Sequence, residues 1–119
     1  MLLFDALIMM HLIGDWIFQT EHEAMNKMKG GFINHTLLSH CLIYTACFIP
    51  VFLYFHVALG WLLLIFSSHM FLDRRWPVIW WLKHVKRVSD ETITALPWLI
   101  IAVDQVMHVL IIAFIVVMS

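Results

Sequence analysis

Four apolar stretches, each close to twenty residues long, constrain the fold of this chain more than any other feature. They cover about residues 2–20, 34–56, 57–75 and 96–118. A helix needs about 20 apolar residues to cross the hydrocarbon core of a bilayer, which is roughly 30 Å thick. Each stretch therefore predicts one membrane-spanning helix.

The composition agrees with this prediction. The chain has 119 residues, of which 63% are hydrophobic and 13% are charged, and its mean hydropathy is +0.92. A domain of this size has too much surface to hide so many apolar side chains in a water-soluble core. We predict an all-α fold, a four-helix transmembrane bundle, formed by one integral membrane domain over residues 1–119.

The second and third stretches follow one another almost directly. The segment FLYFHVALGW must contain a tight turn near His56 and Gly60. We therefore expect these two helices to form an antiparallel hairpin.

The basic residues indicate the orientation. All seven lie in, or at the edge of, the first-to-second and third-to-fourth connections, and they are Lys27, Lys29, Arg74, Arg75, Lys83, Lys86 and Arg87. In a four-span chain these connections lie on one side of the membrane, and the positive-inside rule makes that side cytoplasmic. We therefore expect both termini to lie outside the cytoplasm.

The connection between the third and fourth helices has an amphipathic pattern of its own. In PVIWWLKHVKRV, residues 77–88, the positions Val78, Trp81, Leu82 and Val85 fall on one helical face. We predict a short interfacial helix with Trp81 and Leu82 facing lipid. Its basic residues are expected to attract anionic headgroups, and they are Lys83, Lys86 and Arg87. The alternative is a helix that only anchors the chain and sets its topology.

Ionisable residues recur inside the predicted spans at helical spacing. Residues four apart lie on one face of a helix, about 6 Å apart along its axis. Three such pairs are present, and they are His11/Asp15, His69/Asp73 and Asp104/His108. Together with His40, most of them fall within about 3–14 Å of the predicted cytoplasmic ends. Four helices thus bring imidazoles and carboxylates to one layer.

A divalent metal ion is the partner that would satisfy most of these groups. Unpaired, they are costly in lipid, and histidine nitrogen and carboxylate oxygen suit Zn²⁺, Mn²⁺ and Fe²⁺. The predicted ligands are His11, Asp15, His40, His69, Asp73, Asp104 and His108, with zinc the favoured ion. Because seven exceed the four ligands of tetrahedral zinc, either two ions bind or some groups support the ligands or act in catalysis. A metal-free polar network is the alternative.

Two further residues within the spans are expected to join helices. Gln105 points about 100° away from Asp104 and is predicted to form an interhelical hydrogen bond, with Gln19 as a candidate partner. Gly14 is predicted to let a neighbouring helix approach closely.

These observations favour a membrane-embedded, metal-dependent hydrolase. A bound metal activates water, and spare carboxylates among Asp15, Asp73 and Asp104 would serve as general base. A site just below the cytoplasmic headgroups predicts a lipid or lipid-linked phosphoester as substrate. The alternatives are a haem-binding protein, an ion- or proton-handling protein, and a structural or partner-binding protein with a structural metal. A homo-oligomer is compatible with the sequence, and no nucleic-acid partner is expected.

Four segments together resemble a family of small bacterial and phage membrane proteins, catalogued as domain-of-unknown-function family 3307. The segments are HLIGDWIFQTEHEAMNKMK, LLSHC, SSHMFLD and VDQVMH, and the resemblance runs from about residue 8 to about residue 112. Family members more often carry Trp-Met where this chain has His22 and Glu23. The resemblance implies an integral membrane protein, located in the bacterial inner membrane with both termini outside, and brings no activity with it. A looser similarity to inner-membrane proteins described as metal-dependent hydrolases is an analogy.

Overall fold

The computed structural model describes residues 2–17, 35–74 and 76–119. All the regular elements within these ranges are helical, so the predicted all-α class is confirmed. They are α1 (Leu3–Leu12), a π-helical turn (Ile13–Ile17), α2 (His35–Tyr54), α3 (Trp61–Leu72), α4 (Trp76–His84), α5 (Asp90–Ala95) and α6 (Trp98–Met118). Some predictions concern residues outside the described ranges, and these residues are Gln19, Lys27, Lys29 and Arg75.

Two of the described helices are long and apolar enough to cross a membrane, judged by length and composition. They are α2, with 20 residues, and α6, with 21 residues. The helix α3 is apolar but has only 12 residues, which gives a length of about 18 Å. It is shorter than the predicted third stretch because residues 57–60 form the turn after α2 and Asp73 caps the other end.

The turn predicted near His56 and Gly60 joins α2 to α3. His56 has a φ of 57°, in the left-handed region that commonly ends helices. The backbone N–H of Val57 donates a hydrogen bond to the carbonyl of Phe52 over 2.9 Å. The chain thereby reverses direction, and α3 packs against α2.

Apolar side chains from the four longest helical segments meet in one core. Phe48 and Phe52 of α2 are completely buried, and they belong to a cluster with Leu7 of α1, Ile65 of α3 and Ile112 of α6. The helix α6 packs against α1, α3 and α4, while α2 packs against α1 and α3. This arrangement holds the inner faces of α1, α2, α3 and α6 around a common axis, where the ionisable residues of the same helices also lie.

The short helix α4 turns a different side inward from the one that its sequence pattern predicts. Val78 and Leu82 are completely buried against Leu72 of α3. Trp81 is 41% exposed and Val85 is 49% exposed. The prediction that Trp81 and Leu82 both face lipid is therefore wrong for Leu82, because α6 packs over that side of α4. The helix also ends at His84, before the predicted end at residue 88, and Arg87 has a left-handed φ of 56°.

Candidate metal centre

Four buried side chains from separate segments meet in the interior of the bundle. Asp15 lies in the π-helical turn, His40 in the second turn of α2, His69 in the last turn of α3, and Asp73 directly after α3. The exposed fraction of each residue is 7% or less. These four can each offer one ligand atom to a metal ion, with all the atoms within 4.8 Å of one another.

The distances between these ligand atoms are close to those between the ligands of a small bound cation. His40 Nε2 lies 2.8 Å from His69 Nε2, 3.1 Å from Asp15 Oδ1 and 3.0 Å from Asp73 Oδ2. His69 Nε2 lies 3.1 Å from Asp73 Oδ2 and 3.8 Å from Asp15 Oδ1. Ligands bound to tetrahedral zinc at 2.0–2.1 Å lie about 3.3 Å apart. The observed distances fall on both sides of that value.

Hydrogen bonds alone do not account for this meeting of atoms. The ring nitrogen Nε2 of His40 carries at most one hydrogen, yet it faces another imidazole nitrogen and two carboxylate oxygens at 2.8–3.1 Å. An ionised carboxylate accepts hydrogen bonds and cannot donate one. A cation satisfies all four donor atoms at once, and two nitrogens with two oxygens suit zinc, manganese or iron.

The backbone around Asp15 is a π-helical turn instead of the α-helix that the sequence predicts. Such turns are rare and often occur at functional sites. Gly14 lies inside this turn, and a Cβ atom there would meet the Cδ2 of Tyr44 at 3.0 Å and its Cα at 3.2 Å. The prediction that Gly14 permits close approach of another helix is confirmed, and the other helix is α2.

A chain of polar contacts leads from Asp15 away from the four-atom group. Gln105 on α6 donates a hydrogen bond from Nε2 to Asp15 Oδ2 over 3.0 Å. Its Oε1 lies 2.7 Å from His11 Nε2, and the other ring nitrogen of His11 lies 2.6 Å from the hydroxyl of Tyr44. Gln105 does join helices as predicted, and its partners are Asp15 and His11.

A second chain of contacts leads from His69 to α6. His69 Nδ1 lies 2.8 Å from His108 Nε2, and His108 Nδ1 lies 2.7 Å from the backbone carbonyl oxygen of Asp104. Asp73, Asp104 and His108 form a second group of buried residues with ligand atoms within 4.8 Å of one another. Asp73 thus belongs to both groups.

The structure brings six of the seven predicted ligands into these two groups. They are Asp15, His40, His69, Asp73, Asp104 and His108. The seventh, His11, is in neither group, because both of its ring nitrogens face hydrogen-bond partners, Tyr44 and Gln105. His11 is connected to Asp15 through Gln105, whose amide contacts both side chains.

Tyr44 is the site residue that the sequence reasoning missed. Its ring stacks on the imidazole of His69 with the centroids 3.7 Å apart and the planes at 6°. It is buried, and it follows His40 by four residues on α2. The same spacing that selected the His/Asp pairs would have found it, had aromatic hydroxyls been counted among the polar residues of the spans.

Comparison with known proteins gives one match. The model of a family described as a protein of unknown function, DUF3307, matches residues 3–119. No curated protein matches the chain. No solved structure matches it either.

Proposed function

The chain belongs to the DUF3307 family, and we propose that it is an integral membrane metalloprotein. Its His/Asp centre, formed by Asp15, His40, His69 and Asp73, binds a divalent ion, with zinc as the first choice. The ion serves in the hydrolysis of a lipid or lipid-linked phosphoester. The observation that carries the proposal is the convergence of four buried donor atoms on one point, because a cation is the partner that satisfies all of them together.

The distribution of side chains on the long helices supports insertion in a membrane. Large apolar residues are exposed, and they include Leu63 at 74%, Leu110 at 62% and Val117 at 81%. On the same two helices, the ionisable residues His69 of α3 and Asp104 of α6 are instead buried at 1% or less. This pattern suits a bundle surrounded by lipid, where charged groups face the interior. We propose four spans with both termini outside, as the positive-inside rule requires.

The chemistry follows from the donor set. A divalent ion held by Asp15, His40, His69 and Asp73 would polarise a phosphoryl oxygen and would make water acidic enough to lose a proton near neutral pH. Asp104, which is buried next to Asp73 and His108, accepts that proton as general base. Attack of the water oxygen forms a new P–O bond and breaks the bond to the lipid alcohol. The alcohol leaves with the proton that Asp104 returns to it, while Asp15 and Asp73 hold the ion.

A protein that binds and passes on metal ions is a second candidate. It is favoured by the number of protein ligands. Four ligands already complete a tetrahedral coordination, whereas catalytic zinc sites usually keep one position for water. Haem is disfavoured, because His40 Nε2 and His69 Nε2 lie only 2.8 Å apart. Axial histidines instead bind iron from opposite faces of a porphyrin.

Metal content of the purified chain tests the centre. We expect protein purified without chelator to contain a transition metal, and His40→Ala and His69→Ala to lose most of it. His84→Ala is the matched control, because His84 is exposed on α4 and makes its one described hydrogen bond to the carbonyl of Trp80. Absence of metal from the parent protein, or full occupancy in both ligand variants, would return these residues to a metal-free network.

Turnover is tested separately from binding. Release of inorganic phosphate from phosphatidic acid in mixed micelles is expected from the metal-loaded protein and to fall in Asp104→Asn, with the metal retained. Bound metal with no turnover on phosphatidic acid or on a lipid phosphodiester would favour the ion-handling candidate. Loss of the fold on chelation, again without turnover, would indicate a structural metal.

Attraction of anionic lipid to α4 is a further expected outcome. Lys83, Lys86 and Arg87 are exposed, and each basic residue near an anionic surface contributes about 1 kcal/mol. Lys83 should contribute least, since its Nζ already contacts Asp90 Oδ1 at 2.9 Å. Replacing all three by Gln should abolish the preference for phosphatidylglycerol over phosphatidylcholine, as measured by tryptophan fluorescence titration. His84→Gln should keep it, and an unchanged preference in the triple variant would contradict the electrostatic contribution.

A further inference from the structure

The contacts between α6 and the metal centre determine where the hydrogens lie on two histidines. His108 Nδ1 faces the carbonyl oxygen of Asp104 at 2.7 Å, and a carbonyl oxygen only accepts hydrogen bonds. The hydrogen of a neutral His108 is therefore on Nδ1, and its Nε2 is an acceptor. The neighbour of that acceptor, His69 Nδ1 at 2.8 Å, must then be the donor.

The consequence reaches the centre itself. A neutral His69 that carries its hydrogen on Nδ1 has its lone pair on Nε2, the nitrogen that lies 2.8 Å from His40 Nε2 and 3.1 Å from Asp73 Oδ2. That lone pair is what a metal ligand requires. Stacking on Tyr44, with 3.7 Å between ring centroids, holds the plane of the same imidazole.

The same reasoning applies to the carboxylate on the other side. The ionised Asp15 Oδ2 only accepts, so Gln105 must turn its amide nitrogen to it and its Oε1 to His11. His11 then donates from Nε2 and accepts on Nδ1 from the hydroxyl of Tyr44 at 2.6 Å. Asp15 Oδ1 is left facing the nitrogens of His40 and His69.

From these two chains we infer that α6 supplies positioning residues to the centre, and no metal ligand through His108. His108 fixes the tautomer and orientation of His69, and Gln105 fixes the orientation of Asp15. This inference rests on the proposed metal centre. It differs from the prediction that His108 binds the ion, because the one acceptor lone pair of His108 faces the N–H of His69.

The inference also decides between one ion and two. A second ion between Asp73, Asp104 and His108 would need the lone pair of His108 Nε2, which lies 3.8 Å from Asp73 Oδ1 but only 2.8 Å from His69 Nδ1. The shorter contact is a hydrogen bond of ordinary length. One ion per chain is the expected stoichiometry.

Variants of α6 that keep or remove an acceptor test the inference in the full-length protein. His108→Leu should weaken zinc binding about 10–100-fold, the usual effect of losing an outer hydrogen-bond partner of a ligand. It should still bind one ion at saturation. His108→Gln should bind nearly as tightly as the parent, because its side-chain oxygen can accept from His69 Nδ1. Gln105→Met should weaken binding in the same range as His108→Leu.

Two further measurements separate positioning from general stability. Val106→Ala is the control, since Val106 is 57% exposed on the outer side of α6, and it should leave zinc affinity unchanged. The visible absorption of bound Co²⁺ reports the ligand set, so it should be the same in the parent, His108→Leu and His108→Gln. A role confined to folding would lower the thermal stability of the metal-free protein and would not be rescued by His108→Gln.

Several outcomes would overturn the inference. One is affinity in His108→Gln as weak as in His108→Leu, and another is parent affinity in His108→Leu. A third is two ions in the parent with one lost in His108→Gln, which would make His108 a ligand. If His108→Leu does not fold, His108→Gln and Gln105→Met still decide the matter. Failure of the proposed metal centre would look different, because the parent protein would then bind no ion, and absence of turnover with the ion bound would leave the inference intact.

Discussion

Asp73 is completely buried, and its two carboxylate oxygens face different neighbours. Oδ2 lies 3.0 Å from His40 and 3.1 Å from His69, while Oδ1 lies 3.8 Å from His108. Burial of an ionised carboxylate costs several kcal/mol unless its partners compensate. A single side chain thus connects the ligands of α2 and α3 to the positioning residues of α6.

At the same scale, Gly14 permits the contact that brings Asp15 to α2. We predict that Gly14→Ala destabilises the protein by about 1–3 kcal/mol, the usual cost of overpacking. The added Cβ would meet the Cα of Tyr44 at 3.2 Å, and backbone cannot move aside as a flexible side chain can. Denaturant unfolding in detergent measures the change, and zinc affinity should fall with it because Asp15 is the next residue.

Gly60→Ala is the matched control for this prediction. Nothing lies within 4 Å of a Cβ built on Gly60, and its φ of −57° suits any residue. Its substitution should leave both stability and zinc affinity unchanged. Equal effects of the two substitutions would show that close packing at Gly14 is unimportant.

At the scale of elements, α4 has an inner apolar side and an outer side that carries exposed tryptophans together with Lys83. Leu82 is completely buried and packs with Val78 and Leu72, and the partly buried Val103 and Met107 of α6 lie against the same cluster. The helix is therefore held to the bundle by side-chain packing as well as by any attraction to lipid. Its exposed Trp81 remains on the outer surface.

The packing of α4 predicts unequal effects of two similar truncations. Leu82→Ala should cost about 2–5 kcal/mol, because it removes buried methyl groups and leaves a cavity. Val85→Ala should change the free energy of unfolding by less than about 0.5 kcal/mol, since Val85 is 49% exposed. Unfolding in mild detergent compares the two variants. A greater loss of stability in Val85→Ala would show that the side with Val85, and not the side with Leu82, packs against the bundle.

At the scale of the whole molecule, the ionisable residues of the centre are buried, while many large apolar residues are exposed. His69 and Asp73 have no exposed surface, whereas Leu63 and Val117 are among the most exposed residues described. Both observations support the proposed insertion in a membrane, because lipid solvates apolar side chains and makes isolated charges costly on the exterior.

Orientation is the property of the whole molecule that labelling can test. A cysteine added after Ser119, in a chain with Cys41→Ala and Cys47→Ala, should react with a membrane-impermeant maleimide from outside the cell. Glu91→Cys in the same background should react only after the membrane is opened, because Glu91 lies in the basic connection between the third and fourth spans. The opposite pattern of labelling would reverse the proposed topology.

The sequence by itself determined the helical class and the identity of the ionisable residues that occupy the interior. Helical periodicity is local, so spacing of four residues was enough to place His69 with Asp73, and Asp104 with His108, on inward faces. Depth along the spans then grouped them with Asp15 and His40. Neither inference required knowledge of how the helices are rotated about their axes.

The tertiary structure alone decided which atoms face one another. The π-helical turn at Ile13–Ile17 is wider than a turn of an α-helix, so His11 and Asp15 reach different partners. Packing of α6 over α4 buried Leu82, and the close approach at Gly14 set Tyr44 against His69. Such contacts depend on rotation and distance between helices that are remote in sequence, and a one-dimensional pattern carries no record of either.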